Sequence, residues 1–209
     1  MKIKVDDARR RLRAMNASLP MCLHAVRGAH GQEAMRMIRA WAGVRSCYRR
    51  GWTLAILGKN AAQMGGLAAA ARQFAVSRSV RLMPMVTRED AAVLVAAADV
   101  VACPDGQGQP DAFTLDAMRQ GKSAVVGDRP TTRGSLHDAA WFVDPQDTAA
   151  ISRSLSRLFS DPLLRRELGK SAALRASSLT ASPAGPPTED NPVATSEQTS
   201  GKAVTARAA

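Results

Sequence analysis

The stretch Leu94-Val95-Ala96-Ala97-Ala98-Asp99-Val100-Val101-Ala102-Cys103-Pro104 decides the fold. Its first half ends an Ala-rich segment of helical character, residues 88–97, and its second half is a short apolar run closed by Pro. The loop Asp105-Gly106-Gln107-Gly108-Gln109-Pro110-Asp111 then leads into a second helical segment with Phe113, Leu115, Asp116 and Met118. A further apolar run follows at residues 123–126. Short apolar strands that alternate with helices imply a parallel sheet with both faces covered.

Outward from that stretch the alternation continues. Further strand-like runs lie at residues 21–26, 52–57, 80–83 and 140–143. Residues 33–47 have helical period, with Met37, Ile38, Trp41 and Val44 on one face while Arg36 and Arg39 point away. A second Ala-rich helix covers residues 63–74. The expectation is an α/β fold, a single Rossmann-like doubly wound parallel sheet. After Asp144-Pro145, Asp147 reads as the N-cap of a helix whose buried stripe is Ile151, Leu155, Leu158 and Phe159. Asp161-Pro162 starts a second helix in the same way, with Leu164 and Leu168 buried. Before the first strand, residues 1–17 hold a basic helix, and residues 18–177 form the domain. Residues 178–209, rich in Pro, Ser, Thr and Ala, cannot bury enough surface to offset their chain entropy and are expected to be a disordered tail.

The chain has 209 residues, a length that suits one domain with its own core. No apolar run approaches the ~20 residues of a membrane-spanning helix, and no secretory signal is recognised. Cys22, Cys47 and Cys103 are odd in number without CxxC spacing, so neither a disulfide framework nor a zinc site is expected, and the default location is the cytoplasm. The formal charge of +11 comes from 29 Lys plus Arg against 18 Asp plus Glu, and 23 of the 29 are Arg. Arg suits phosphate recognition through its planar fork of donors, but a codon bias that spreads Arg over solvated faces gives the same count. Motifs, not net charge, decide between the two. A nonspecific nucleic-acid binder would show salt-sensitive affinity. With one Tyr, four Phe and no aromatic-basic motif, the chain has no stacking platform for single strands, and no specific nucleic-acid partner is expected.

In an open α/β sheet, ligands bind beyond the carboxyl ends of the strands, where the connections enter helices. Four such turns stand out: Val26-Arg27-Gly28-Ala29-His30-Gly31-Gln32, Gly58-Lys59-Asn60, the loop 104–111, and Gly127-Asp128-Arg129-Pro130. N–H groups at the start of the helix near residues 112–115 could bind a phosphate, and Arg27 and Lys59 would sit at the same edge. Neither GxGxxG nor GxxxxGK[ST] is present, which disfavours standard dinucleotide and P-loop sites. The plain readings are a surface acid for Asp116, a solvated cation for Lys59, a packed core residue for His24 and a loop residue for His137. His30 in the first turn could contact a ligand. No Ser/His/Asp or Cys/His spacing marks a catalytic nucleophile. The Met residues at 35, 37, 83, 85 and 118 read as core packing, so no metal site is assigned.

The order of the turns is more specific. From Leu54 to about Arg175 the chain resembles the C-terminal, nucleotide-sugar-binding half of the retaining glycosyltransferases with the GT-B fold. The residues that carry the resemblance are Leu54-Ala55-Ile56-Leu57-Gly58, Val80-Arg81-Leu82-Met83, the 94–104 stretch, and Leu115-Asp116-Ala117-Met118-Arg119-Gln120-Gly121-Lys122-Ser123-Ala124-Val125-Val126. Ala139-Ala140-Trp141-Phe142-Val143-Asp144-Pro145 and Asp161-Pro162-Leu163-Leu164-Arg165-Arg166-Glu167-Leu168 complete it, and Arg27 extends it backward.

The resemblance implies a nucleoside-diphosphate sugar as donor, with no cofactor. In the family an Arg and a Lys five positions apart hold the diphosphate. An E-x7-E pair places its first Glu beside the donor sugar and its second on the ribose. The leaving group is an anionic diphosphate, so cations and helix N–H groups must stabilise its developing charge. Here the Arg matches Arg27, but the Lys position holds Gln32. The second Glu matches Asp116, a shorter carboxylate that can still accept ribose hydroxyls. The first Glu falls on Gly108; the nearest carboxylate, Asp111, lies three residues further on and reads as a helix N-cap. The expected substrate-binding set is Arg27, Gln32, Gly58, Lys59, Phe113, Thr114 and Asp116, with no catalytic residue assigned. No acceptor half is recognised before the first strand, and half of such an enzyme cannot by itself close a cleft against water. Retaining transfer is therefore expected only with an acceptor domain from another chain. The alternative is an inactive GT-B-like interaction or regulatory protein. A partner chain with the acceptor domain and a peripheral membrane contact stay open.

Overall fold

The computed structural model describes residues 20–26, 31–44, 51–58, 61–84, 87–105 and 110–181. The basic helix expected at residues 1–17 and nearly all of the expected tail lie outside the described residues. Six strands alternate with helices: β1 (Met21–Ala25), α1 (Gln32–Gly43), β2 (Thr53–Gly58), α2 (Ala61–Gln73), β3 (Val80–Pro84), α3 (Arg88–Ala97) and β4 (Val100–Cys103). Then follow α4 (Ala112–Arg119), β5 (Ser123–Gly127), α5 (Pro130–Leu136), a 3-10 turn (His137–Ala139), β6 (Trp141–Val143), α6 (Thr148–Ser160) and α7 (Pro162–Ala181). The strand runs read from the sequence correspond to all six strands, with ends shifted by a residue or two. Helix α5 was not anticipated, because Pro130 opens it within what reads as a turn. Helix α7 continues through Ser178–Ala181, past the expected domain end at residue 177.

All five strand pairings are parallel, and the order is β3-β2-β1-β4-β5-β6. This is the doubly wound sheet that the alternation implies, with its order reversing between β1 and β4. Alternate residues of each strand serve opposite layers. On one face Cys22, Leu54, Ile56, Val100, Ala102 and Val125 meet α1, α2 and α6 through Met37, Ile38, Trp41, Leu67, Ile151, Leu155 and Leu158. On the other, Met21, Leu23, Ala55 and Val101 meet α3 and α4, while Ala124 and Val126 meet Met118, Leu136, Ala172 and Ala176. With both faces covered, the strands hold apolar residues at nearly every position.

The few aromatic residues are concentrated in the first layer. Trp41 is fully buried, donates from Nε1 to Ser79 Oγ at 3.0 Å and meets the edge of Phe159, whose other neighbour Trp52 stacks at 4.0 Å between ring centres. The helix starts follow the expected cap chemistry. Asp147 accepts from Ala149 N and Ala150 N at 2.8 and 2.9 Å, and these backbone bonds hold its carboxyl below the usual range. Asp161 accepts from Leu164 N at 2.9 Å. Leu164 and Leu168, expected to be buried, are only partly so; the fully buried residues of α7 are Ala172 and Ala176.

One of two helical glycines sets how closely layers approach. A Cβ on Gly169 would lie 2.2 Å from Gly121 O, so α7 can rest on the turn before β5 only with glycine there. Around Gly134 in α5 there is nothing within 4 Å. Gly169→Ala is expected to cost about 2–3 kcal/mol by overpacking, whereas Gly134→Ala should be neutral or add up to about 1 kcal/mol of helix propensity. Urea unfolding of the two variants checks this, and equal effects would contradict the close approach.

Candidate functional site at the switch point

Strands β1 and β2 stay in register over five residues, Met21↔Thr53 to Ala25↔Leu57. Between β1 and β4 register is kept only at Cys22↔Val100 and Leu23↔Val101. One residue further, the His24 side chain takes over from the ladder: Nδ1 lies 2.7 Å from Ala102 O, so Nδ1 carries the hydrogen and donates to that carbonyl. His24 is 1% exposed, as a core reading expects, but its role is polar. It satisfies a backbone acceptor where the two strands part.

The helices that open onto this edge are α1 and α4. Helix α1 begins after Gly31, whose φ of 62° lies in the left-handed region that glycine adopts without strain. Glu33 in its first turn is buried, where a carboxylate suits the positive end of the helix. One turn later Arg36 reaches across the crevice and pairs with Asp105, two residues beyond β4. The expectation that Arg36 points away is corrected here. The side chains of Arg36 and Asp105 are only 30% and 11% exposed, whereas Arg39 is exposed as expected. Helix α4 begins with Asp111, whose carboxylate accepts from Thr114 N and from Thr114 Oγ1. Its position as an N-cap was legible in the sequence. The consequence for the phosphate reading is adverse, since one of the helix-start N–H groups already has an anionic partner. At the neighbouring edge a Cβ on Gly127 would meet Pro104 O at 2.2 Å, so glycine brings the ends of β4 and β5 together.

Among the described residues, four buried side-chain atoms have no hydrogen-bond partner: His24 Nε2, Arg36 Nε, Asp105 Oδ2 and Arg129 Nε. All four stand at the carboxyl edge of the sheet, around the ends of β1, β4 and β5. Buried polar groups are nearly always paired, so these four atoms make the edge the candidate site. His24 shows the mixed electrostatics there. Burial pulls its pKa down, while Cys103, the Ala102 carbonyl and the Glu33 carboxylate raise it, and the upward pull prevails. For Cys22, burial in the same layer pushes the thiol pKa up and keeps it protonated.

The sequence-derived residues are distributed unevenly. Arg27, His30, Lys59 and Gly108 lie outside the described residues. Gln32 is the exposed first residue of α1, and Gly58 ends β2 opposite Pro84. Phe113 is partly buried against the cluster that holds Leu23, Leu57 and Cys103. Thr114 is 2% exposed and committed to Asp111. Asp116 is exposed and paired with Arg119 at 2.6 Å. The edge thus gathers Gln32, Gly58, Phe113 and Thr114, while Asp116 faces outward one turn along α4. The sequence reading missed Arg36, Asp105, and the hydrogen bond His24 makes to β4. Arg36 and Asp105 are 69 positions apart, and no local pattern links them. A separate cavity of about 350 Å³ between α1 and α6 is lined by Arg39, Gly43, Thr148, Ala149, Ser152 and Arg153. It has no share in the edge cluster. No group of three metal-binding side chains exists among the described residues, and no described helix is long and apolar enough to cross a membrane.

The strand order defines a Rossmann-like domain, with the candidate site at the sheet's switch point. Residues 12–161 match the family model described as glycosyl transferases group 1, and the chain belongs to that family. Among solved structures it resembles sucrose-phosphate synthase from Thermosynechococcus elongatus, with 21% identity and a TM-score of 0.67, covering 84% of this chain and 44% of that one. Anabaena HepE in complex with UDP-glucose gives a TM-score of 0.71 at 15% identity, covering 84% of this chain and 49% of that one. The C-terminal domain of a group 1 family protein, LpcC from Francisella tularensis, is covered over 93% of its length by 83% of this chain, at 15% identity and a TM-score of 0.66. The chain therefore spans slightly less than half of the longer relatives and nearly all of an isolated C-terminal domain. No curated protein matches the sequence.

A group whose folded pKa is raised stabilises the fold fully below its unfolded value, about 6.5 for His, and loses that contribution as pH rises through the folded value. The stability advantage of wild type over His24→Gln is therefore expected to shrink from about pH 6 upward. Urea unfolding across that range is the measurement, and an advantage that grew with pH would contradict the assignment.

Proposed function

We propose that this chain binds a nucleoside-diphosphate sugar at the carboxyl edge of its sheet and serves as the donor half of a retaining glycosyl transfer. The observation that carries this reading is the cluster of buried, unsatisfied polar atoms where β1 and β4 part. Family membership supports the same reading, because the family's chemistry is sugar transfer. Arg27 would neutralise the diphosphate, with Gln32 donating a hydrogen bond to it. Gly58 and Lys59 would border the site, and the backbone at Phe113 would face the phosphates beside the capped Thr114. Asp116 would accept the ribose hydroxyls after releasing Arg119. The donor's own leaving phosphate would act as the base, and a partner chain would supply the acceptor half.

A second reading keeps donor binding without turnover, as an interaction or regulatory protein. The observation in its favour is Asp111, whose carboxylate places a negative charge where a phosphate would approach α4. Together with Gln32 and Gly108 it weakens the electrostatic support that transfer of a sugar from a diphosphate requires.

Calorimetric titration with UDP-sugars and GDP-sugars is the direct test. At least one is expected to bind, and no binding or thermal stabilisation at millimolar concentration would remove the donor reading. Asp111→Asn keeps an equally good cap but removes the charge, so it should tighten diphosphate binding roughly threefold. Transfer to an acceptor, assayed with cell extract as the source of any partner chain, separates the two readings: turnover supports the first, and binding without it the second.

A further inference from the structure

Arg36 and Asp105 make an ion pair that is incomplete. A guanidinium and a carboxylate can form two parallel bonds, but here only Nη2 and Oδ1 meet. Arg36 Nε keeps an unused hydrogen and Asp105 Oδ2 an unused lone pair, both buried. The crevice at the pair therefore holds one surplus donor on a cation and one surplus acceptor on an anion.

A ligand with an anionic oxygen beside a hydroxyl satisfies such a set, and a sugar diphosphate carries both where its second phosphate adjoins the sugar. Resting on the donor-binding reading above, we propose that the Arg36–Asp105 pair supplies the two functions that Gln32 and Gly108 do not. Arg36 donates from Nε to the diphosphate in place of a lysine, and Asp105 accepts a hydroxyl of the donor sugar through Oδ2 in place of a glutamate. Paired with Arg36, the Asp105 carboxylate also repels an incoming diphosphate less than a lone carboxylate would. Because α1 carries Arg36 one turn beyond Gln32, the cation comes from the same helix start and reaches the crevice from its flank.

The test uses the whole chain with UDP, UDP-glucose, GDP and GDP-mannose as probes, in titration calorimetry and with thermal unfolding to verify the fold of each variant. Arg36→Gln is expected to weaken the diphosphate and its sugar conjugate alike, by about tenfold or more, the worth of one charge-assisted bond. Arg36→Lys should recover part of that loss. Asp105→Asn should leave the free diphosphate bound as well as or better than before, while the extra affinity conferred by the sugar falls at least severalfold. If Arg36→Gln does not fold, the double variant Arg36→Gln/Asp105→Asn, which leaves no unpaired buried charge, must show both losses. A folded Arg36→Gln variant that binds the diphosphate like wild type overturns the proposal, as does an unchanged preference for the sugar conjugate in Asp105→Asn. In both of those cases wild type still binds. Failure of wild type to bind any of the probes removes the donor reading itself, and this proposal with it.

Discussion

The β1–β4 junction is the constraint on which the rest of the structure depends. To its left the chain winds β1, β2, β3 outward, and to its right β4, β5, β6. The connections on the two sides therefore leave the sheet in opposite directions, the arrangement that opens a crevice at the strand ends. The backbone ladder follows the same logic, since two registered pairs hold the strands together before they separate. What the ladder gives up, His24 restores for one carbonyl. A buried polar side chain in the first strand of an apolar sheet is thus a consequence of where the order reverses.

Around that gap the packing works to bring loops close. Gly127 lets β5 end against Pro104, and Gly169 lets α7 settle on Gly121 under the same half of the sheet. Gly31 allows α1 to start immediately after the first turn. The helix starts themselves are self-contained: Asp111, Asp147 and Asp161 each satisfy backbone N–H groups with a carboxylate. That stabilises the fold but leaves α4 less receptive to an anion than a bare helix start. Charge for a phosphate must then come from side chains, and Arg36 and Arg129 are described cations at that edge.

Much of the architecture was readable from the chain. Apolar runs as short as Val100–Cys103 and Ser123–Gly127 suit strands better than helices, and their burial on both faces requires helices between them. Cap residues at Asp111, Asp147 and Asp161 announced the helices that follow. Helix α5 escaped because Asp128-Arg129-Pro130 reads equally as a turn, and Leu164 escaped because α7 buries its small Ala172 and Ala176 more deeply than its leucines. Within the site, the sequence placed Gln32, Gly58, Phe113 and Thr114 near one edge, because their positions follow directly from strand ends. It placed Arg36 wrongly. A helical wheel assigns an arginine beside an apolar face to solvent, and it holds no information on what stands opposite.

By itself, the sequence determined the layers, the order of elements and the edge at which a ligand would enter, since these follow from local periodicity and from the ends of strands. Only the tertiary structure decided which polar groups meet there. The Arg36–Asp105 pair joins residues separated by 69 positions, and His24 bonds to a carbonyl 78 positions away. Hydrogen bonds and ion pairs depend on distances of a few ångströms between elements, and those distances are set by how the sheet splits and the helices pack across it.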